Sequence, residues 1–249
     1  MKKYEWIKNP EIAIFKERPN RFTAIVEHNH ADLRVYLPDP GRLEELMIPG
    51  AKVIIEKRRN SGKTHHDLLL VKTQSFPEKE PIMVGVDSRL PNKLFKWLIS
   101  EKLVDYFENI HVIKSEPKVD HGRLDYYIES TNGKHFIELK SVNLLDVSGT
   151  ARFPDAPTKR GTKHLNELIN LKKQGYVCWI IFLIVRKDAL SFSPFFERDP
   201  LFSKTLQKTQ EAGVNIKALK FNIDYSVHYM GEVPANTKNH PFAGYWSEM

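Results

Sequence analysis

The chain has 249 residues, 41% of them hydrophobic and 28% charged, with a formal net charge of +7, a composition able to bury a core. Its single cysteine excludes an internal disulfide and a multi-cysteine zinc site. The longest apolar run, 177–185, falls short of the about 20 residues that cross a bilayer.

The opening Met1-Lys2-Lys3-Tyr4-Glu5-Trp6 lacks the apolar core of a signal peptide, so a cytoplasmic location is the default expectation. Five short apolar runs follow, at 12–15, 22–27, 33–37, 53–56 and 68–72, separated by turn-forming residues. Five strands in so short a stretch predict a small barrel, with the five-stranded OB-fold the leading candidate. Within the barrel connection, Pro38-Asp39-Pro40-Gly41-Arg42 reads as a turn and 43–46 as a short helical piece. After Pro91 the period changes. Asn92 is placed to cap a helix, and Leu94, Phe95, Leu98, Ile99, Leu103 and Phe107 keep helical spacing to about 109. A strand at 111–117, a hairpin of 123–129 with 135–143, and a loop at 146–160 come next. Helices at about 162–174 and 200–212 alternate with strands at 176–185 and 215–221. The 176–185 run is apolar on both faces, as a central strand covered by helices should be. The expected organisation is mixed α/β: an OB-fold-like barrel over 1–84, then over 85–249 a mixed sheet flanked by helices.

The hairpin carries the chemistry. Asn132-Gly133 tolerates the positive φ of a type I′ turn, and a turn centred there sets Asp125 opposite Lys140 and Tyr127 opposite Glu138. Because side chains alternate, Asp125, Glu138 and Lys140 share one face, and a turn one residue earlier preserves that face. Leu124, Tyr126, Ile128, Ile137 and Leu139 occupy the other. Two carboxylates are a minimal anchor for Mg²⁺ or Mn²⁺, which would polarise a phosphoryl oxygen and activate a water. Lys140 would orient that water or stabilise developing charge. This is the Asp…Glu-x-Lys arrangement of restriction-endonuclease-like, PD-(D/E)xK nucleases. The same three groups also make sense as a partly buried ion-pair cluster.

The stretch Phe153-Pro154-Asp155-Ala156-Pro157-Thr158-Lys159-Arg160-Gly161-Thr162-Lys163-His164-Leu165-Asn166-Glu167-Leu168 closely resembles the sugar fermentation stimulation protein A family. So do Ser115-Glu116-Pro117-Lys118, Arg123-Leu124-Asp125, Ile137-Glu138-Leu139-Lys140-Ser141-Val142 and Phe192-Ser193-Pro194, and the resemblance runs from about Phe15 to Ile223. It implies an OB-fold joined to a PD-(D/E)xK domain, DNA binding, and a role in regulating sugar-utilisation genes. It further implies Asp125, Glu138 and Lys140 as the nuclease triad, with Glu116 an additional metal carboxylate. Two departures stand out. The family's Pro-Asn-Thr-Gly turn reads Pro38-Asp39-Pro40-Gly41 here, and an acidic residue there disfavours a direct phosphate contact. Leu124 holds a position often occupied by proline in such nucleases.

Between Lys140 and Lys173 lie seven basic residues against Asp146, Asp155 and Glu167. Lys159, Arg160 and Lys163 open a helix whose N-terminus favours anions, and Lys163 is best placed to face the metal site. His164 reads as a helix-surface residue. Arg123 either reaches a phosphate or holds Asp125. Arg42 either contacts DNA or pairs with a nearby glutamate, and Lys57, Arg58 and Arg59 form a second basic cluster. Two functions fit these residues: a Mg²⁺- or Mn²⁺-dependent deoxyribonuclease, or a DNA-binding regulator that retains the fold without turnover. The DNA partner is single- or double-stranded, no membrane is involved, and a homodimer is one possible assembly.

Overall fold

The computed structural model describes residues 2–58, 64–120 and 122–245. Arg59 lies outside the described residues.

Strands Glu11–Asn20, Thr23–His28, Ala31–Tyr36, Lys52–Lys57 and His66–Gln74 form an antiparallel sheet in which Lys52–Lys57 returns to pair with Glu11–Asn20. A parallel bridge, Tyr36 to Asp67, closes it into the expected five-stranded barrel. A sixth strand, Pro81–Gly85, lies along His66–Gln74. Alternation fills the barrel with Phe15, Val26, Val35 and Leu68, and Leu37 and Leu43 join them from the connection after Tyr36. Residues 43–46 form a single turn and not the expected helical piece. Leu43 has φ +55°, and its carbonyl accepts from Leu46 N at 3.1 Å and Met47 N at 2.8 Å. Burial of the Leu43 side chain holds it there.

The second unit is built on a seven-stranded sheet, in the order Tyr4–Glu5, Ser226–Glu232, Asn215–Ile223, Val177–Ile184, Gly133–Val142, Tyr126–Ser130, Val112–Ser115. The first residues of the chain thus edge this sheet, not the barrel. Val177–Ile184 runs parallel to both neighbours and is buried along almost its whole length. Helix α1 (Leu90–Ser100) covers one face through Leu94, Phe95 and Leu98, which pack with Tyr126, Ile128, Ile137 and Leu139. Helices α2 (Lys159–Lys173) and α3 (Pro200–Glu211) cover the other, where Leu165, Leu168, Phe202 and Leu206 pack with Val142, Cys178 and Phe182. Leu124 belongs to this second cluster, across the sheet from Tyr126.

Four expectations are corrected. Helix α1 ends at Ser100 rather than near 109, because the chain turns through Lys102 at φ +52° while Leu103 and Phe107 still pack on the core. Arg89, not Asn92, stands at its N-cap, with Pro91 in the first turn. The 146–160 segment contains the strand Thr150–Phe153, paired with Leu144–Leu145 and Ser191–Pro194 in a small second sheet. The hairpin turns at Thr131-Asn132, with Ser130 opposite Gly133, one residue earlier than Asn-Gly predicts. The Asn132 amide donates to Tyr106 O at 3.0 Å, and its Oδ1 accepts from Glu108 N at 3.3 Å. That tertiary anchor, with Gly133 at φ +137°, moves the turn. The ladder starts with Tyr126 opposite Ile137, so Asp125, in the bend just before it, comes next to Glu138 rather than opposite Lys140.

The barrel packs directly on the second unit. Gly85 N donates to Val185 O at 3.0 Å, and a Cβ on Gly85 would lie 3.2 Å from Val185 Cβ, so glycine permits the approach. Leu43 N donates to Asp155 Oδ2 at 2.6 Å, and Asn143 Nδ2 to Asp39 Oδ2 at 3.0 Å. Glu45 joins this junction, its carboxylate oxygens buried without a partner outside their own residue. Burial, with Asp155 nearby, pushes the Glu45 carboxyl up to about 8 and Asp39 up to about 6. A raised carboxyl binds its proton more tightly in the folded state, so its stabilisation is complete below the unfolded pKa and is lost as pH rises through the folded one. Glu45→Gln should therefore raise the melting temperature relative to wild type at pH 8.5 and change it little at pH 4.5. Thermal unfolding across that range checks the sign.

Candidate active site

Strand alternation places Glu138 and Lys140 side by side on the α2 face of Gly133–Val142. Asp125 stands just before Tyr126–Ser130, its N–H donating to Ile137 O at 3.1 Å. The Asp125 carboxylate is fixed on both oxygens: Oδ2 accepts from Leu139 N at 2.7 Å and Oδ1 from Asn92 Nδ2 at 3.3 Å. Glu138 is 2% exposed. Its Oε1 accepts from both Lys140 Nζ and His164 Nδ1, and its Oε2 is buried with no partner.

The electrostatics follow from burial and neighbours. Burial, then the Glu138 charge, raises the Asp125 carboxyl above its ordinary range. Burial also acts to raise Glu138, but Lys140 and His164 together outweigh it and hold that carboxyl low. Two neighbouring carboxylates, one kept ionised and one destabilised by the other, form a site in want of a cation.

His164 and Asn92 were not among the expected site residues. Sequence does contain a signal for the first. His164, Leu168 and Leu171 follow i, i+4, i+7 spacing, and all three are buried on one side of α2. His164 is thus a sheet-facing residue, which corrects its reading as a surface one. Arg160 Nε approaches His164 Nε2 at 3.4 Å. With Nε2 as acceptor, the imidazole carries its hydrogen on Nδ1 and donates to Glu138. Asn92 had no sequence signal beyond its capping propensity, because its contact with Asp125 is made across 33 residues.

The remaining expected residues divide. Arg123, Lys159, Arg160 and Lys163 line one depression of about 270 Å³ beside His164. The side chain of Lys163 is exposed, one helix position before the residue that reaches Glu138. Thr158 caps α2 by accepting from Gly161 N at 3.0 Å, which leaves Lys159 and Arg160 in the first turn. Glu116 does not join the carboxylate pair. The backbone turns there at φ +51°, and its side chain, 70% exposed, meets Arg123 NH1 at 3.0 Å. Arg42 pairs with Glu44 at 3.3 Å, as its structural reading expects. Lys57 and Arg58 line another depression with Arg89 and Lys93. There Arg58 is held by Asp67 at 3.2 Å and lies 5.0 Å over the Tyr36 ring.

Among the described residues, no three His, Cys, Asp or Glu side chains converge as a ready metal cage. The residues do fit a hard divalent ion that keeps most of its waters. They offer two carboxylates, both oxygen donors, and a buried Glu138 Oε2 that no protein group satisfies. No helix among the described residues is long and apolar enough to cross a membrane.

Two family models match. The sugar fermentation stimulation protein RE domain matches residues 89–226 and the SfsA N-terminal OB domain residues 17–84. A sugar fermentation stimulation protein homolog of Pyrobaculum arsenaticum is 38% identical over 224 residues, covering 89% of this chain and 92% of that protein. A homolog of Desulforamulus reducens is 41% identical over 216 residues, covering 86% and 87%. Among solved structures, Pyrococcus furiosus SfsA in complex with Ca²⁺ superposes with a TM-score of 0.86 at 32% identity, covering 95% of this chain and 100% of that one.

Proposed function

From the premise that the chain belongs to the sugar fermentation stimulation protein family, we propose that it is a divalent-metal-dependent deoxyribonuclease. The observation that carries this reading is the neighbouring Asp125–Glu138 pair, with one Glu138 oxygen left without a partner in the interior. A purely DNA-binding surface has no use for two carboxylates where phosphates must lie, since like charges repel unless a cation stands between them. The Ca²⁺ of the Pyrococcus furiosus relative supports the metal part of the proposal.

Asp125 and Glu138 would hold the ion, with Mg²⁺ or Mn²⁺ as the expected metal. The bound ion would supply Lewis-acid polarisation of a phosphoryl oxygen and a water of lowered pKa. The chain's own groups do the rest. Leu139 N and Asn92 fix the orientation of Asp125. Lys140 and His164 hold Glu138 ionised. Lys140, bonded to Glu138, would donate to a non-bridging oxygen of a bound phosphodiester. Arg160 keeps its terminal nitrogens for phosphate while its Nε meets His164. Arg123, Lys159 and Lys163 extend the cationic surface along the strand.

Plasmid and single-stranded DNA incubated with Mg²⁺, Mn²⁺ or EDTA give the test. Cleavage should need the metal. Metal and DNA binding with no cleavage under any condition would overturn the nuclease reading in favour of a non-catalytic DNA-binding regulator. Lys163→Ala should weaken DNA binding and reduce the slope of log K against log salt by about 0.9 for duplex or 0.7 for single strand. Binding isotherms at four salt concentrations measure it, and an unchanged slope would remove Lys163 from the phosphate contacts.

A further inference from the structure

A cleft of about 460 Å³ opens beside Lys140, between the barrel and the second unit. Its volume falls within the roughly 300–1,000 Å³ typical of small-molecule sites. Lys140, Arg21 and Arg160 bring positive charge to it, and Arg160 also borders the basic depression of Arg123, Lys159 and Lys163. The acceptors come from deeper in the junction. Asp39 and Asp155 are 7% and 8% exposed, and both line the cleft. A Cβ on Gly41 would come within 2.8 Å of Asp155 Oδ2 and 3.0 Å of Asp39 Oδ1, so the two carboxyl groups converge on one glycine. Asp155 takes Leu43 N on Oδ2 and a further backbone N–H from Arg42, Asp39 takes Gly41 N and Asn143, and Asp155 Oδ1 takes nothing.

Cations and acceptors are thus both present in a cleft contiguous with the candidate active site. A phosphate suits the first and a donor edge the second. A nucleotide has both, and a carboxylate accepts from the exocyclic amino group of a base. Stacked and paired within a duplex, a base cannot turn that edge into a cleft, so the nucleotide must be unstacked.

We propose that this cleft holds one unstacked nucleotide next to the scissile phosphate, with the base's amino edge on Asp39 and Asp155. The inference rests on the nuclease reading and adds its substrate class: a single strand, or a duplex frayed at the site of attack. Thymine, which lacks an amino group, is the base it disfavours.

The test uses the full chain and oligonucleotides carrying one 2-aminopurine, whose fluorescence rises when it leaves the stack. Bound to wild type, a single strand labelled at successive positions should brighten several-fold at one or two of them. Ala156→Trp, which fills the cleft from one wall, should abolish that rise. Ser88→Trp, on the barrel side, repeats the test should the first variant unfold. Lys163→Ala should weaken binding yet leave the fluorescence at saturation unchanged. Oligo-dC should bind several-fold more tightly than oligo-dT, and Asp39→Asn should narrow that ratio. A signal equal to the free strand at every position, or one that survives both tryptophan variants, overturns the cleft proposal. Metal-dependent cleavage in that case leaves the nuclease reading standing. Cleft signal without cleavage retains the pocket and removes the nuclease.

Discussion

Asp125→Asn should abolish metal-dependent cleavage, a loss of at least ~10²-fold, while leaving the protein as stable as wild type or more so. The activity half follows from removing one of two metal-holding carboxylates. The stability half follows from what Asp125 now bears. It is partly buried beside Glu138, and both that burial and the neighbouring charge raise its carboxyl. Its stabilisation is therefore present at low pH and lost as pH rises through the raised value. The amide carries no such charge. Its Oδ1 can still accept from Leu139 N, which Asp125 Oδ2 does at 2.7 Å. The melting temperature at pH 8 should hold or rise, and DNA binding without metal should strengthen as repulsion falls. If Asp125 were instead a structural partner of Lys140, the same substitution would lower the melting temperature. Differential scanning calorimetry beside a cleavage assay separates these outcomes.

Asp146→Ala should be the most destabilising single change away from the site, costing about 3–5 kcal/mol. Arg152 and Asp146 are 1% and 0% exposed. Asp146 Oδ2 receives Arg152 Nε at 2.8 Å and NH2 at 2.6 Å, while Oδ1 takes Ser148 N at 2.9 Å and Thr150 N at 3.1 Å. The guanidinium also ties down the last described segment, donating to His240 O at 2.6 Å and Pro241 O at 2.7 Å. Alanine at 146 strands a buried guanidinium, and the loss is that of an uncompensated charge rather than of one hydrogen bond. The double variant Asp146→Leu with Arg152→Met should recover much of the stability, since it buries no charge. It should still expose the 236–245 segment to protease, because the guanidinium no longer holds His240 O and Pro241 O. Urea unfolding of the single and double variants, with limited proteolysis, measures both effects.

The basic residues of α2 and the paired carboxylates meet through a helix face that the family motif alone did not resolve. Lys163 and His164 are neighbours in sequence and border the same depression, yet His164 is the one bonded to Glu138. Helical spacing from Leu168 and Leu171 back to His164 marks it as sheet-facing, whereas Lys163 is exposed. Arg42 and Arg58 illustrate the opposite case. Each is basic and near a presumed nucleic-acid surface, yet each is already paired, with Glu44 and Asp67 respectively. Composition reveals charge but not whether that charge has a partner.

What the sequence determined by itself is whatever depends on local period. Alternation of two fixed Glu138 and Lys140 on one face of their strand. Short strands between turn residues specified the barrel, and an apolar run buried on both faces specified the centre of the sheet. What only the tertiary structure decided depends on contacts between residues far apart in the chain. Asn132 reaches Tyr106 and Glu108 and sets the register that brings Asp125 next to Glu138. Asn92 leaves its capping role for Asp125. Glu116 turns away to Arg123, and α2 delivers His164 to Glu138. Periodicity specifies a face, whereas a hydrogen bond needs a position in space, and that is fixed only when separate elements pack.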